Sequence, residues 1–197
     1  MTLYASTAEI KAALHITDSV DDSLISMAGS AASELIDGYC NRTFGTVTAT
    51  RVFAPYNNIT CEIDDLAGTA ITVQTSTNAD NVWDQTWDTT DYQLEPLNGF
   101  ADGLRWPYTR LRAIDSYWFP MADGEATVRI TGVFGWPSVP VSVKQAAVIQ
   151  SSRIFKRLDS PLGVAGFGDI GVMRVTRSVD PDVAVLLDPY RRHLGGA

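Results

Sequence analysis

Histidine and cysteine are scarce in this 197-residue sequence, which contains two of each. The histidines, His15 and His193, and the cysteines, Cys40 and Cys61, lack the close spacing of a zinc site, so no metal ligand set is expected. The cysteines are predicted to be free thiols in a reducing compartment, and a disulfide between them is the alternative.

Long apolar runs are absent too. No stretch approaches the ~20 apolar residues that a membrane-spanning helix needs, so no membrane contact is expected. The first four residues, Met1 to Tyr4, lack the basic start and apolar core of a signal peptide. With 45% hydrophobic residues, the composition is typical of a soluble globular protein, which we expect to be made in the cytoplasm.

Motifs that carry catalysis are missing as well. No serine lies in a G-x-S-x-G context, and the neighbouring carboxylates Asp64 and Asp65 should point to opposite faces of a strand. The stretch "GFGDIG", residues 166–171, matches G-x-G-x-x-G, but it follows a helix and is not part of a βαβ unit. We interpret it as a flexible loop or hinge, and we expect neither an enzyme nor a cofactor.

Charge is distributed unevenly along the chain. The net charge is −8, so the surface as a whole should not bind duplex DNA. Residues 1–103 contain three Lys or Arg against fifteen Asp or Glu, whereas residues 104–197 contain twelve against eight. Such asymmetry can guide head-to-tail association or the docking of an acidic partner, and an unevenly charged solvated surface is the alternative.

Two helices are predicted at the start of the chain. Ser6 and Glu9 form a capping box for a first helix over 7–15. A second helix is predicted from Val20 to Tyr39, with Ser19 as its cap. Its apolar face follows the 3.6-residue period, and the residues assigned to that face are Val20, Leu24, Met27, Ala28, Ala31, Leu35, Ile36 and Tyr39.

The period changes between Thr46 and Val133. Short β-branched and aromatic runs, separated by turn residues, indicate five or more strands of an antiparallel sandwich or barrel-like sheet. The strand signal ends at Gly135, and a helix is predicted from Pro140 to Arg157, its apolar side packing on the second helix. A last helix is predicted after Asp180 and Pro181. The chain is therefore α+β, with a β module inserted into a helical body.

Seven aromatic residues crowd the β module: Trp83, Trp87, Trp106, Tyr108, Tyr117, Trp118 and Trp136. Exposed and coplanar rings would suit a carbohydrate-binding or host-recognition module. Buried rings would instead serve the core, and rings at a contact surface would serve as protein anchors. We favour core and interface, and keep the carbohydrate-binding or host-recognition module as the alternative function.

The N-terminal stretch "VDDSLISMAGSAASELIDGYCNRTF" and the later stretches "PVSVKQAAVIQSSRIFKR" and "DPDVAVLLDPYRRH" resemble phage head-tail connector, or adaptor, proteins of tailed phages of actinobacterial hosts. The resemblance covers most of residues 1–45 and 135–195 and implies a four-helix connector body, into which the antiparallel β module predicted from the residues themselves is inserted. The implied division is residues 1–45 for the N-terminal helices, 46–135 for the β module and 136–197 for the C-terminal helices with a glycine-rich loop.

The resemblance also implies a function. Such a protein is a structural component of the virion neck, made in the host cytoplasm, which forms a twelvefold homo-oligomeric ring below the portal protein. It binds a stopper or tail-terminator protein on its other side and extends the channel through which genomic DNA passes without specific binding. The predicted contacts with subunits or portal are Arg153, Arg157, Leu162, Phe167, Ile170, Arg174, Arg177, Tyr190, Arg191 and Arg192.

Overall fold

Two helices, a run of short strands and two further helices follow one another along the chain, in the α+β order predicted from the sequence. The computed structural model describes residues 2–101, 103–158 and 179–192. The chain divides into two compact units. One contains the residues up to Thr43 and those from Val139 onward, and the other is Phe44–Ser138. We call them the helical unit and the β unit.

The first helix, α1 (Thr7–Leu14), begins at the predicted capping box. The Ser6 side chain accepts a hydrogen bond from the Glu9 backbone N–H at 3.2 Å, and the Ser6 backbone N–H donates to the Glu9 carboxylate at 2.8 Å. These reciprocal bonds satisfy two donors that a helix start would otherwise leave open. The helix ends at His15, which adopts the left-handed conformation of a helix C-cap.

The second helix, α2 (Asp22–Cys40), begins two residues later than predicted. Asp21 occupies the N-cap position without a side-chain hydrogen bond, so the predicted Ser19 cap is wrong. The predicted apolar face is also wrong in part, because Val20, Leu24 and Met27 are exposed. The sequence supports two overlapping apolar stripes, and the buried one consists mostly of small residues. The buried side of α2 is Ile25, Ala28, Gly29, Ala32, Ser33, Ile36 and Cys40.

Helix α3 (Val141–Leu158) packs against α2, as the sequence predicts, and also contacts α4 (Pro181–Leu187). Pro140 precedes α3 and accepts a hydrogen bond from the Lys144 backbone N–H at 2.9 Å. The Asp180 side chain caps α4 by accepting from the Asp182 N–H at 2.8 Å, which confirms the predicted start. A 3-10 turn (Asp188–Tyr190) containing Pro189 then replaces the α-helix.

The described part of the β unit contains nine antiparallel strands, of which seven form one sheet and two a separate ribbon. In the sheet, β9 pairs with β1 on one side and with both β3 and the end of β2 on the other. The strand order is β4-β3-β9-β2-β8-β5, with β1 added on β9. The strands are β1 (Thr46–Phe53), β2 (Thr60–Leu66), β3 (Thr72–Thr75), β4 (Gln85–Trp87), β5 (Tyr92–Glu95), β6 (Phe100–Ala101), β7 (Leu104–Arg105), β8 (Tyr108–Ala113) and β9 (Val128–Gly135).

One apolar cluster holds the sheet together. Cys61 and Leu66 from β2, Val73 from β3, Leu111 from β8 and Ile130 from β9 are fully buried in it, and Trp87 from β4 and Tyr92 from β5 extend it to the other strands. Burial of such side chains contributes roughly 1.5–3 kcal/mol each relative to exposure. The sheet is therefore stabilised by residues from across its whole width.

No helix in the described ranges is long and apolar enough to cross a bilayer.

Candidate interaction surfaces

Half of the predicted contact residues lie in the described part of the chain. Arg153, Arg157, Tyr190, Arg191 and Arg192 can be placed, and all five belong to the helical unit. The other half, together with the "GFGDIG" stretch and His193, lies outside the described residues: Leu162, Phe167, Ile170, Arg174 and Arg177.

Arg153 forms an ion pair with Asp180, the residue that caps α4. Their side chains are 30% and 20% exposed, so the pair is partly shielded from water. One carboxylate oxygen of Asp180 faces the guanidinium and the other accepts the N–H that begins α4. Arg153 therefore holds the start of α4 against α3. Arg157, one turn further along α3, is exposed.

Residues 187–192 contact the end of α2 through a set of polar interactions. We call this set the C-terminal clasp (Tyr39–Asn41 with Leu187–Arg192). The Tyr39 hydroxyl donates to Asp188 at 2.6 Å, and the Arg192 N–H donates to the Cys40 carbonyl at 2.8 Å. The Arg191 guanidinium lies 4.9 Å from the centre of the Tyr39 ring, in cation–π contact.

Tyr190 differs from its two neighbours. Its side chain is buried, with 4% exposed, and so it packs inside the helical unit. Arg191 is exposed and Arg192 is half-buried. Arg191 and Arg192 are thus the residues of this segment whose side chains reach the surface, and both are positively charged.

The clasp also alters two ionisable groups. The hydrogen bond to Asp188 raises the pKa of Tyr39, because the neutral phenol is the donor. Burial raises the pKa of the Cys40 thiol to about 12, and burial does the same for Cys61 in the β unit. Both cysteines are free, as predicted, and both are buried. At Cys40 burial outweighs the nearby positive charges of Arg42 and Arg191, so neither thiol has the low pKa of a reactive cysteine.

An exposed apolar stripe runs along α2, on the side away from its buried face. We define this α2 outer stripe as Val20, Leu24, Met27 and Ala31. Val20 is 83% exposed, Met27 is 66% exposed and Leu24 is 39% exposed. Leu24, Met27 and Ala31 are spaced by three and four residues, which places them on one face of α2, and Val20 lies two residues before the helix begins. Glu34, also exposed, continues the same face.

Helix α3 presents a different outer surface. We define the α3 outer face as Val141, Lys144, Gln145 and Lys156, all exposed. The two helices also differ in charge, because α2 carries three acidic residues and no Lys or Arg, while α3 carries four basic residues and no acid. Asp22 of α2 is ion-paired with Lys11 and Lys144 of α3 with Glu9, so Glu34 on α2 and Lys156 on α3 are the exposed charges by which these two outer surfaces differ.

Most aromatic residues of the β unit belong to its interior. Trp87, Tyr108 and Trp136 are buried, at 4%, 5% and 1% exposed. Trp87 stacks on Phe119 with ring centres 4.8 Å apart, and the Trp136 indole N–H donates to Asp65 at 3.0 Å. These rings fill the core, as the favoured interpretation of the sequence predicts.

Four aromatic side chains of the β unit are exposed, namely Tyr56, Phe100, Tyr117 and Trp118, and the last two are neighbours in the sequence. Tyr117 is 38% exposed and Trp118 is 65% exposed. Together with Gln85 and Ser116 they line an open depression of about 700 Å³. Tyr117 and Trp118 therefore place two exposed aromatic rings beside a depression, which is the arrangement that a platform for a sugar ring requires.

The acidic residues of β2 engage separate partners. Asp64 accepts a hydrogen bond from Arg51 at 2.7 Å, whereas Asp65 accepts the bond from Trp136. Within the described residues, no group of three or more His, Cys, Asp or Glu side chains is arranged to hold a metal ion.

No protein-family model and no curated protein matches this chain. Solved structures do match it over nearly the whole length. A chain in the neck of an empty gene transfer agent (GTA) particle, computed with C6 symmetry, aligns with a TM-score of 0.58 at 17% identity and covers 100% of this chain and 96% of that one. A chain in the neck of a native GTA particle, computed with C12 symmetry, gives 0.52 at 17%, covering 96% and 91%.

A chain in the virion of a native GTA particle gives a TM-score of 0.55 at 16% identity, covering 98% of this chain and 93% of that one. This chain has the fold of these particle components. The alignments span both the helical unit and the β unit, because they leave at most 4% of the chain uncovered. The likeness is therefore one of whole architecture, beyond a shared helix pair or sheet.

Proposed function

We propose that this protein is a structural component of a virion neck: a head-to-tail adaptor that forms a ring below the portal. One observation carries the proposal, namely the whole-chain likeness to neck chains of a particle computed with C6 and C12 symmetry. The proposal includes the connector body of four helices (residues 1–45 and 136–197) with an inserted β module (46–135). We also propose that the virion is that of a phage of an actinobacterial host.

The proposed ring has twelve copies, with the portal protein on one side and a stopper or tail-terminator protein on the other. Genomic DNA passes through its channel. The net charge of −8 supports this role, since acidic walls repel phosphates and let DNA slide without sticking. The contacts that we propose for subunits or portal include Arg153, Arg157, Arg191 and Arg192.

The described residues also fit a non-enzymatic role. The thiols are buried, and the three carboxylates of β2 contact two arginines and an indole: Glu62 contacts Arg110, Asp64 contacts Arg51 and Asp65 contacts Trp136. These groups stabilise the two units, and none of them combines with a second group into a nucleophile and base pair.

Sedimentation velocity with purified portal protein tests the proposal. We expect the chain to sediment as a large assembly, either alone or in the presence of portal protein. When the two proteins are mixed, we expect them to co-sediment. Deleting residues 161–172 should weaken assembly while leaving the helical circular dichroism of the monomer intact. If neither a ring nor a complex with portal forms across the accessible concentrations, the adaptor proposal fails.

The exposed pair Tyr117 and Trp118 supports a second candidate, a carbohydrate-binding or host-recognition module. Stacking on a sugar requires an exposed ring, and Trp118 provides one at the edge of the depression. A glycan array tests this candidate with the native chain and the Trp118→Ala variant. Binding by the native chain that the variant loses supports it, and no binding by either rejects it.

A further inference from the structure

We propose that the ring is closed by one repeated seam, in which the α2 outer stripe of one copy packs against the α3 outer face of the next copy. The inference rests on the proposed ring and names the surfaces that build it. The occupant of the stripe is thus a second copy of this chain.

The first argument is burial. A helix with an apolar stripe on its outer side as well as its inner side is typical of a helix that is covered on both sides. The inner side of α2 is already packed against α3 and α1. Val20, Leu24 and Met27 remain exposed on the other side. Contiguous exposed apolar residues of this kind mark protein contact sites.

The second argument is charge. The stripe lies on a helix that contains only acidic charges, and Glu34 extends it. The α3 outer face contains Val141, which is 77% exposed, and Lys156 near the other end of the helix, while its Lys144 is already ion-paired with Glu9. A basic surface with an apolar residue complements an acidic surface with an apolar stripe, whereas two stripes facing each other would bring like charges together.

The third argument is symmetry. A ring requires each copy to present two different surfaces, one to each neighbour, since a self-complementary surface closes at a dimer. The helical unit has two such surfaces, and they differ in charge. The neck particles with this fold were computed with C6 and C12 symmetry, which fits a head-to-tail contact. The seam therefore uses α2 as one surface and α3 as the other.

Cysteine crosslinking in mixtures tests the seam. Met27→Cys is placed in one preparation and Gln145→Cys in another, and the two are mixed and treated with a short bismaleimide. A second mixture pairs Met27→Cys with Lys156→Cys at the far end of α3. The native cysteines are buried, so they should contribute little background crosslinking. Val82→Cys, an exposed site in the β unit, mixed with Gln145→Cys is the control for random collision.

We expect a covalent dimer from at least one mixture containing Met27→Cys, and none from Met27→Cys alone or from the control. Mass photometry of the same samples shows whether a ring is present. If a ring forms and neither mixture crosslinks above the control, the seam is wrong while the adaptor proposal stands. A dimer from Met27→Cys alone also overturns the seam, since stripes would then meet each other. If no assembly forms, both proposals fail.

Discussion

The hydroxyl of Tyr39 donates a hydrogen bond of 2.6 Å to the carboxylate of Asp188, which lies 149 positions later in the sequence. This bond joins the end of α2 to the turn that follows α4, and it is the central contact of the C-terminal clasp. The two stretches of sequence that build the helical unit are thereby held together where both helices end.

Replacing Tyr39 by Phe removes this bond and keeps the ring. Because the bond is partly exposed, we expect a loss of about 1 kcal/mol in the free energy of unfolding, measured by urea denaturation. Tyr56→Phe is the matched control, since Tyr56 is 81% exposed, and it should change little. Equal effects of the two substitutions would argue against the clasp.

The same bond predicts a pH dependence. The pKa of Tyr39 is raised in the folded chain, mainly by the hydrogen bond to Asp188. A group with a raised folded pKa stabilises the fold below its unfolded pKa, here about 10, and loses that contribution as pH rises through the folded value. The stability difference between the native chain and Tyr39→Phe should therefore shrink in alkaline solution.

Glu9 should titrate far below an ordinary carboxyl group. The Ser6 backbone N–H is the main cause that lowers its pKa from 4.5 to about 2, followed by Lys144, which lies 3.0 Å away. This contribution to stability is present above pH 4.5 and is lost as pH falls through about 2. Carbon-13 NMR of the side-chain carboxyl measures the midpoint. In Lys144→Ala the midpoint should rise; an ordinary midpoint in the native chain contradicts the capping geometry.

The two thiols should be inert in the folded chain. Burial raises the pKa of Cys40 and of Cys61 to about 12, so almost no thiolate is present at pH 8. We expect no reaction with Ellman's reagent until the chain is unfolded in denaturant, when two thiols should react. Rapid reaction of one thiol in native buffer would show that its unit is open.

Gly135 lies at the end of β9 with a φ of 111°. A Cβ placed there would overlap the carbonyl oxygen of Gly45, next to the paired residue Thr46. Gly135→Ala should therefore cost about 2–4 kcal/mol of stability. Gly38→Ala is the control, because it has open space on α2 and should stabilise by about 0.5–1 kcal/mol. Thermal unfolding of the three chains checks both signs.

Met27→Glu should disrupt assembly without disturbing the monomer. Met27 is 66% exposed, so little native packing is lost, while the proposed seam loses an apolar contact of about 1–2 kcal/mol per copy. Assembly should then need about tenfold more protein, as read by mass photometry. Val82→Glu, an equally exposed site in the β unit, should assemble normally. Normal assembly of Met27→Glu contradicts the seam.

The helix starts were predictable where polar caps are local. Ser6 with Glu9, and Asp180 with Pro181, were recognised because the cap and its partner lie within three residues. The buried face of α2 was not, since small residues such as Ala28 and Gly29 pack closely there while larger apolar residues stay outside. Helix periodicity gives the angle between residues and does not say which side meets a partner.

The strands show the same limit. β2 is hard to recognise in the sequence because Glu62, Asp64 and Asp65 interrupt its apolar residues Cys61, Ile63 and Leu66, and β4, β6 and β7 are too short to show a pattern. Strand β8 ends at Ala113, before the aromatic run that begins at Tyr117, and Asp115 and Ser116 between them adopt positive φ. The candidate surfaces could not be predicted either, because they are defined by which side chains are exposed. Exposure depends on how the chain folds and cannot be derived from its composition.

Electron microscopy of the purified chain, alone and mixed with portal protein, tests most directly whether the chain forms a ring that binds the portal. Two-dimensional class averages should show rings with a central hole and twelve repeated units, and the rings should dock on portal particles. Averages that show only single particles without rotational symmetry, at concentrations where portal itself is assembled, would contradict the account.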